Sequence, residues 1–307
     1  MWRSLAQKTL GEERFLRLKQ YQLQARAHPR IAMALARAAA TSALRVIDPA
    51  VPSTWEFSGF SQNGEDGIID YLCSRLLRPN RYFIEIGASN GLENNTTWLA
   101  FAKRYGGLMI DGDPAKIAEG RQTFAALNGA LEFASMMVAP DTAAAFGELA
   151  LLKDPDVFSL DIDSVDYYVA DALIDRVLRP KIVIVEYNSS FGPDRAVTIP
   201  YQFPFNRHRA HRSGFYYGVS VRGLRALLES RGYRFVSVEQ NGVNAFFADP
   251  AAFEPAFLNG IRGTEFRENI VQRRESRTDW AGQMAQIAHL PLVEIPPTHE
   301  RSPASVA

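Results

Sequence analysis

The chain has 307 residues, 47% of them hydrophobic, and its 34 lysines and arginines balance its 34 aspartates and glutamates. This composition predicts a folded protein with a buried core and excludes a disordered chain. The balanced charge lacks the basic excess typical of nucleic-acid-binding proteins, so we expect no nucleic-acid partner. Because Cys73 is the only cysteine, an internal disulfide is excluded and a cytoplasmic location is expected. No run reaches the roughly 18 apolar residues of a transmembrane helix.

The N-terminal segment has the residue pattern of a basic helical extension. Between Met1 and Arg45, nine lysines and arginines stand against two glutamates. Pro49 and Pro52 then end the helical pattern. Two interpretations stay open: an arm that packs on the rest of the protein, or a basic helix that contacts an anionic membrane surface or a partner protein.

Beyond this extension, strand-like and helix-like segments alternate. Five short apolar segments are predicted to be buried strands, at residues 81–86, 107–111, 131–138, 156–161 and 181–186. Helices are predicted between them, at residues 95–103, 114–126 and 164–178. This alternation indicates a parallel sheet with helices on both faces.

The pattern changes in the last third of the chain. Ser220 precedes a predicted helix at 221–231, and two further strands at 234–238 and 245–248 follow it. An Asn-Gly pair lies between these strands and predicts an antiparallel hairpin. The fold expected is therefore α/β and Rossmann-like, with a mostly parallel seven-stranded sheet that ends in an antiparallel hairpin. This is the layout of class I methyltransferases. We divide the chain into a basic helical extension (1–52), a central domain (53–258) and a helical, Pro-rich tail (259–307).

A glycine-containing loop follows the first predicted strand, running from Glu85 to Gly91. Gly87 and Gly91 allow a tight turn and a close approach to a ligand. Dinucleotide-binding loops have the spacing G-x-G-x-x-G, which would need glycine at Ser89 and Leu92, so this spacing argues against NAD(P). The carboxylate at the end of the strand instead suits the ammonium group of S-adenosylmethionine (SAM).

Asp111 ends the second predicted strand, about 20 residues beyond the loop, where Rossmann-like domains place an acid that binds ribose hydroxyls. Gly112 leaves room for an adenosine beside it. Met136 and Met137 either border the adenine or fill the core. The competing interpretation is a tight turn with a capping aspartate and no cofactor.

Four oxygen-bearing side chains follow the fourth and fifth predicted strands. Asp161 and Asp163 are two residues apart, as are Glu186 and Asn188, so each pair is expected on one face. Asp161 and Asp163 are the candidate catalytic residues, one acting as general base toward a hydroxyl. Alternatively, Asp161, Glu186 and Asn188 hold Mg²⁺. A structural role in capping and loop hydrogen bonds is the third interpretation.

An aromatic and basic loop, Tyr201 to Arg212, comes after the fifth strand. It is predicted either as a lid that binds an acidic or sugar-like acceptor or as a solvated loop.

The chain resembles the FkbM-like SAM-dependent methyltransferases from Phe57 to Asp249. The resemblance rests on five motifs: Ser61–Gly67, Glu85–Gly91, Asp161–Asp163, Glu186–Asn188 and Asn241–Phe247. It implies a class I fold, SAM as cofactor, and O-methylation of a small molecule or glycan. A non-catalytic Rossmann-like binding or scaffold protein derived from a methyltransferase is the alternative.

Family members often have glycine after the Asp-Ile-Asp triplet, whereas this chain has Ser164. We therefore expect the backbone that follows Asp163 to differ from that of the family. The resemblance also implies that the segment around Gln62 closes the cofactor pocket. The expected cofactor contacts are Gln62, Glu85, Gly87, Ala88, Ser89, Gly91, Asp111 and Gly112.

Overall fold

A computed structural model describes residues 12–125 and 127–296. Its helices are α1 (Glu12–Leu44), α2 (Glu65–Cys73), α3 (Thr97–Ala102), α4 (Pro114–Phe124), α5 (Ala143–Leu149), α6 (Asp166–Leu173), α7 (Arg207–Ala210), α8 (Val221–Glu229), α9 (Pro255–Gly260), α10 (Ile270–Ser276) and α11 (Trp280–Ile287). Its strands are β1 (Tyr82–Ile86), β2 (Gly106–Asp111), β3 (Leu131–Ser135), β4 (Val157–Leu160), β5 (Ile182–Glu186), β6 (Val197–Thr198), β7 (Arg234–Val238), β8 (Asn244–Ala248) and β9 (Val293–Glu294).

The central sheet has seven strands in the order β3-β2-β1-β4-β5-β8-β7. Strands β1 to β5 are parallel, and β8 runs antiparallel to both β5 and β7. The predicted fold is therefore confirmed: a Rossmann-like class I methyltransferase fold that ends in an antiparallel hairpin. Because β1 lies between β2 and β4, the loops that follow these three strands meet at one edge of the sheet.

Strands β1, β4, β5 and β8 are buried at every position, which explains their nearly continuous apolar sequences. Successive residues of a strand point to opposite faces, so Ile84 packs with Phe158 in one core and Phe83 with Val157 in the other. Cys73 packs against the second core, and burial raises the pKa of its thiol. This is the environment of a structural cysteine.

Two predicted helices are shorter than expected, and each has a local cause. The helix predicted from residue 95 begins at Thr97, because the amides of Asn95 and Thr96 bond to a buried carboxylate instead. The helix predicted to residue 178 ends at Leu173, because Asp175 adopts a positive φ of 65° and breaks the helical path.

Helix α1 packs on the segment that leads into the Ser61–Gly67 motif. Ala27 and Ile31 are buried against Phe60, and Arg37 donates to the carbonyl oxygen of Gly59 at 2.6 Å. The basic start of the predicted extension (1–11) and the Pro-rich end of the predicted tail (297–307) lie outside the described residues. Within the described part of the chain, no helix combines the length and apolarity needed to cross a bilayer.

Candidate functional site

The loop after β1 is fixed by a close backbone approach. Gly87 has a φ of 90°, and a Cβ at this position would lie 1.6 Å from the carbonyl oxygen of Asp161. Only glycine therefore fits there. The amides of Gly87 and Ala88 both donate to the carbonyl oxygen of Ile110, at 2.9 and 3.0 Å. The loop is thus tied to β2 on one side and packed against the end of β4 on the other.

Asp111 lies at the end of β2 and holds two turns in place. Its Oδ2 accepts a hydrogen bond from the amide of Ser89 at 2.8 Å, and its Oδ1 accepts one from the amide of Asp113 at 2.8 Å. Ser89 adopts a φ of 51°, which directs its amide into this contact. Each carboxylate oxygen has a second lone pair, so Asp111 keeps the capacity to accept bonds from a ligand.

A cavity of about 360 Å³ lies beyond the carboxyl ends of β1, β2 and β4. We call it the glycine-loop cavity. Gly87, Asp111 and Gly112 form one part of its wall, and Met136 and Met137 line another part. Its lining also contains Asp161, Asp163, Ser164, Phe203 and Phe205. Three predicted cofactor residues, Gly87, Asp111 and Gly112, therefore come together around one space.

Other predicted cofactor residues do not line this cavity. Glu85 is 3% exposed, and its carboxylate accepts bonds from the amides of Asn95 (2.9 Å) and Thr96 (3.1 Å) and from the Thr96 hydroxyl. Burial raises the pKa of Glu85 to about 7. Glu85 therefore anchors the entry to α3.

The remaining members of the predicted set also lie outside the glycine-loop cavity. Ala88 is buried, and a Cβ on Gly91 would lie 2.9 Å from Sδ of Met109. The backbone of Ser89 contacts Asp111, which lines the cavity, so Ser89 supports its wall. Gln62 lines a neighbouring cavity instead.

This second cavity, of about 280 Å³, lies beyond β4, β5 and β8. We call it the carboxylate cavity. Asp161, Asp163 and Glu186 line it at the sheet edge, and Gln272 and Glu275 of α10 line it from the C-terminal segment. Asp161 and Asp163 also line the glycine-loop cavity, so the two spaces meet at these carboxylates.

Carboxylate oxygens of Asp161 and Glu186 lie within 4.8 Å of each other. Burial, followed by the charges of Asp161 and Asp163, raises the pKa of Glu186 well above its ordinary value. Burial, followed by the charge of Asp163, raises the pKa of Asp161 to about 7. Burial and mutual repulsion therefore favour the protonated form of both carboxyl groups more than in isolated ones. The Tyr217 hydroxyl donates to Oε1 of Glu186 at 3.1 Å and helps to hold this pair.

Arg207 is the only cationic side chain among the described residues that line the carboxylate cavity. It forms an ion pair with Asp163, and its guanidinium lies 4.7 Å from the centre of the Tyr217 ring. It belongs to α7, within the predicted lid, whereas Phe203 and Phe205 of the same segment line the glycine-loop cavity. The aromatic and basic loop therefore contributes to both cavities.

Two of the three predicted Mg²⁺ ligands, Asp161 and Glu186, are brought together, whereas Asn188 is not. Asn188 is buried, its Nδ2 donates to the carbonyl oxygens of Phe215 (2.6 Å) and Tyr217 (2.9 Å), and its Oδ1 accepts from the amide of Ser190 (3.0 Å). Its amide group is thus fully used in capping a turn. The carboxylate atoms that do converge belong to Asp161, Asp163 and Glu186, within 4.8 Å of one another.

Two members of this carboxylate trio already have partners. Asp163 forms an ion pair with Arg207, and Glu186 accepts a hydrogen bond from the Tyr217 hydroxyl. A divalent cation held by all three carboxylates would therefore have to displace Arg207 from Asp163.

Two wall residues of the carboxylate cavity, Glu65 and Asn244, were not predicted from the sequence. Oε1 of Glu65 accepts bonds from Nδ2 of Asn63 (2.9 Å) and Nδ2 of Asn244 (3.0 Å). Asn244 opens β8, where it is paired in register with Glu186. The Ser61–Gly67 and Asn241–Phe247 motifs therefore meet at this wall.

No protein-family model and no curated protein matches this chain. Several solved structures are similar to this chain at low identity. Cofactor-bound Rv0187 from MTB is 15% identical, with a TM-score of 0.42, over 72% of this chain and 89% of that one. The O-methyltransferase from Bacillus cereus in complex with SAH is 17% identical, with a TM-score of 0.40, over 71% and 89%.

The TrmK structure from M. capricolum with S-adenosylhomocysteine (SAH) is 8% identical, with a TM-score of 0.35. The match covers 59% of this chain and 65% of TrmK, just under two thirds of its length. Similarity at this level does not extend to activity, so the function of this chain rests on its own residues.

Proposed function

We propose that the protein is a SAM-dependent methyltransferase that methylates a hydroxyl group. The observation that carries this proposal is that two cavities share Asp161 and Asp163 as a common wall. Methyl transfer requires a donor and an acceptor held in line at short range, and adjoining cavities with a common wall can hold both. SAM occupies the glycine-loop cavity in this proposal, with Asp111 accepting bonds from the ribose hydroxyls.

SAM supplies an electrophilic methyl group on a sulfonium, and the acceptor occupies the carboxylate cavity. The acceptor oxygen forms a bond to the methyl carbon while the carbon–sulfur bond breaks, and the hydroxyl proton passes to Asp161. A pKa of about 7 suits Asp161 to this role, since a general base works best near the ambient pH. The ion pair with Arg207 gives Asp163 a positioning role beside it.

Membership of the FkbM-like methyltransferases, with a small molecule or glycan as acceptor, is part of the proposal. The motifs that carry the resemblance support it, because Ser61–Gly67, Asp161–Asp163 and Asn241–Phe247 all contribute residues to one cavity.

We also propose that the N-terminal extension is an arm that packs on the rest of the protein. The packing of α1 on the Ser61–Gly67 motif supports this proposal.

A non-catalytic binding protein is the second candidate. The engagement of Glu85 and of both Asp111 oxygens by backbone amides favours it, since these residues already have structural roles.

Thermal unfolding with SAM, SAH and NAD⁺ tests the proposal. A ligand at about a hundredfold its Kd adds roughly 2.7 kcal/mol of stability, so SAM and SAH should raise Tm and NAD⁺ should not.

Asp111→Ala should weaken SAH binding. Asp141→Ala, which removes an exposed acid outside the cavity, is the matched control. Absence of any shift with SAM and SAH would support the non-catalytic alternative, and unchanged SAH affinity in Asp111→Ala would remove this residue from the site.

A further inference from the structure

Acidic side chains are concentrated in the carboxylate cavity although the charge of the whole chain is balanced. Among the described residues, six carboxyl groups in its lining outnumber the single guanidinium of Arg207, which is already paired with Asp163. Burial raises the pKa values of Asp161 and Glu186, so the negative charge of the cavity rests on the other three, Glu65, Glu93 and Glu275. Over the whole chain, 34 basic residues balance 34 acidic ones, so this acidity is local. A concave acidic site repels anions and attracts cations.

A second observation points to a hydrogen-bond donor on the ligand. Asn244 lines the cavity and is 2% exposed, and its Nδ2 donates to Oε1 of Glu65 at 3.0 Å. This bond fixes the orientation of the amide, because the reverse orientation would bring two acceptors together. Oδ1 of Asn244 is buried and has no hydrogen-bond partner among the described residues. A buried acceptor without a donor is costly, and a ligand N–H or O–H group would satisfy it.

The cavity also offers groups suited to several hydroxyls. Gln62, Asn94, Asn269 and Gln272 line it, and a side-chain amide can both donate and accept. Gln62 and Gln272 already donate one bond each, to Glu93 and Tyr217, and keep further capacity. Nδ2 of Asn94 has no partner within the described part of the chain. Hydroxyl groups likewise donate and accept, so a polyhydroxylated ring complements this wall better than an apolar compound does.

We propose that the acceptor is an amino sugar, a polyhydroxylated ring with a protonated amine near the hydroxyl that is methylated. This inference rests on the proposed function and specifies the acceptor of the same reaction. The amine faces Glu275 of α10, an exposed carboxylate in the lining with no ion-pair or hydrogen-bond partner among residues 12–125 and 127–296. The reacting hydroxyl faces Asp161, at the boundary with the glycine-loop cavity.

Calorimetric titration of three hexoses that differ in charge tests this acceptor class. Glucosamine, glucose and glucuronate are each titrated into the full-length protein saturated with SAH. Glucosamine should bind at least severalfold tighter than glucose, and glucuronate should bind most weakly. Glu275→Gln should weaken glucosamine binding about three- to fivefold, the effect of one exposed ion pair, and leave glucose binding unchanged. Glu254→Gln removes the same charge from an exposed site outside the cavity and should change neither affinity.

Binding of SAH is measured first, which separates the two proposals. A protein that does not bind SAH contradicts the methyltransferase proposal itself. A protein that binds SAH but binds glucose as tightly as glucosamine, prefers glucuronate, or binds none of the three hexoses overturns the amino-sugar inference alone. An equal loss of glucosamine affinity in Glu275→Gln and Glu254→Gln would show a general charge effect and would also overturn it.

Discussion

Replacing Gly87 with alanine should disturb both stability and cofactor binding. A Cβ at this position would lie 1.6 Å from the carbonyl oxygen of Asp161. Real Cβ atoms essentially never come within 3.0 Å of a neighbouring heavy atom, so the backbone would have to separate by roughly 1.4 Å. The obstacle is backbone, and the amide of Asp161 also donates to the carbonyl oxygen of Ile86 at 3.1 Å. The shift would therefore strain the link between β1 and β4.

Two energy terms set the size of this effect. A non-glycine residue at the φ of 90° adds about 1–2 kcal/mol, and overpacking of a tight contact adds about 1–3 kcal/mol. Gly87→Ala should then lower the free energy of unfolding by roughly 2–5 kcal/mol. In a protein of this size, that corresponds to a fall in Tm of roughly 3–8 °C.

Thermal unfolding and SAH titration of Gly87→Ala measure both consequences. We expect a lower Tm and a loss of SAH affinity of at least tenfold, because the displaced loop lines the glycine-loop cavity. Gly129→Ala is the control, since a Cβ on Gly129 meets no atom within 4 Å. If Gly87→Ala matched this control in both Tm and SAH affinity, the close approach to Asp161 would not constrain the loop as described.

Two other predictions concern the carboxylate trio. Asp161→Asn should lower kcat by roughly a hundredfold or more with SAH affinity nearly unchanged. In the wild type, a base with a pKa of about 7 is charged above that pH, so the rate should rise with pH through this value. The Asp161→Asn variant should lose that rise. Asp163→Asn should keep a rise but at lower pH, because it removes a charge that raises the pKa of Asp161. A pH-independent wild-type rate would contradict the assignment. Turnover should also persist in excess EDTA, and its loss there, with recovery on addition of Mg²⁺, would restore the metal alternative.

The sheet could be predicted because its strands are buried on both faces. Strands such as Ile182–Glu186 appear as short, continuous apolar runs separated by helical segments, which is the pattern of parallel strands. The Asn241–Gly242 turn likewise marks the hairpin between β7 and β8. The meeting of Asp161 and Glu186 follows from this topology alone, because β4 and β5 are parallel neighbours whose carboxyl ends coincide.

The rule of alternating faces failed where a strand had already ended. Strand β5 ends at Glu186, and Asn188 belongs to the turn that follows, so its side chain caps that turn and does not lie beside Glu186. Asp163 also lies beyond its strand, but its φ of 53° marks a left-handed turn, and its carboxylate comes back to the cavity. The sequence alone does not specify such turns, because they depend on tertiary contacts.

The contact between Glu65 and Asn244 could not be predicted from the sequence for a different reason. These residues are 179 positions apart, and neither stands in a local pattern that points to the other. Their contact depends on the register of β8 against β5, which sets Asn244 beside Glu186. A shift of one residue in that register would turn Asn244 to the opposite face of the sheet. The hairpin could be predicted, but its register could not.

The position of Asp161 depends on backbone packing more than on the contacts of its own side chain. Its carbonyl group packs against Gly87, and its amide bonds to Ile86, so the main chain is held from the side of β1. Its carboxylate, whose pKa burial raises to about 7, can then gain or lose a proton while the main chain is held in place. This separation explains why Asp161→Asn should affect the chemical step while Gly87→Ala affects folding and cofactor binding. The two variants together therefore distinguish a catalytic carboxylate from a structural one at the same residue.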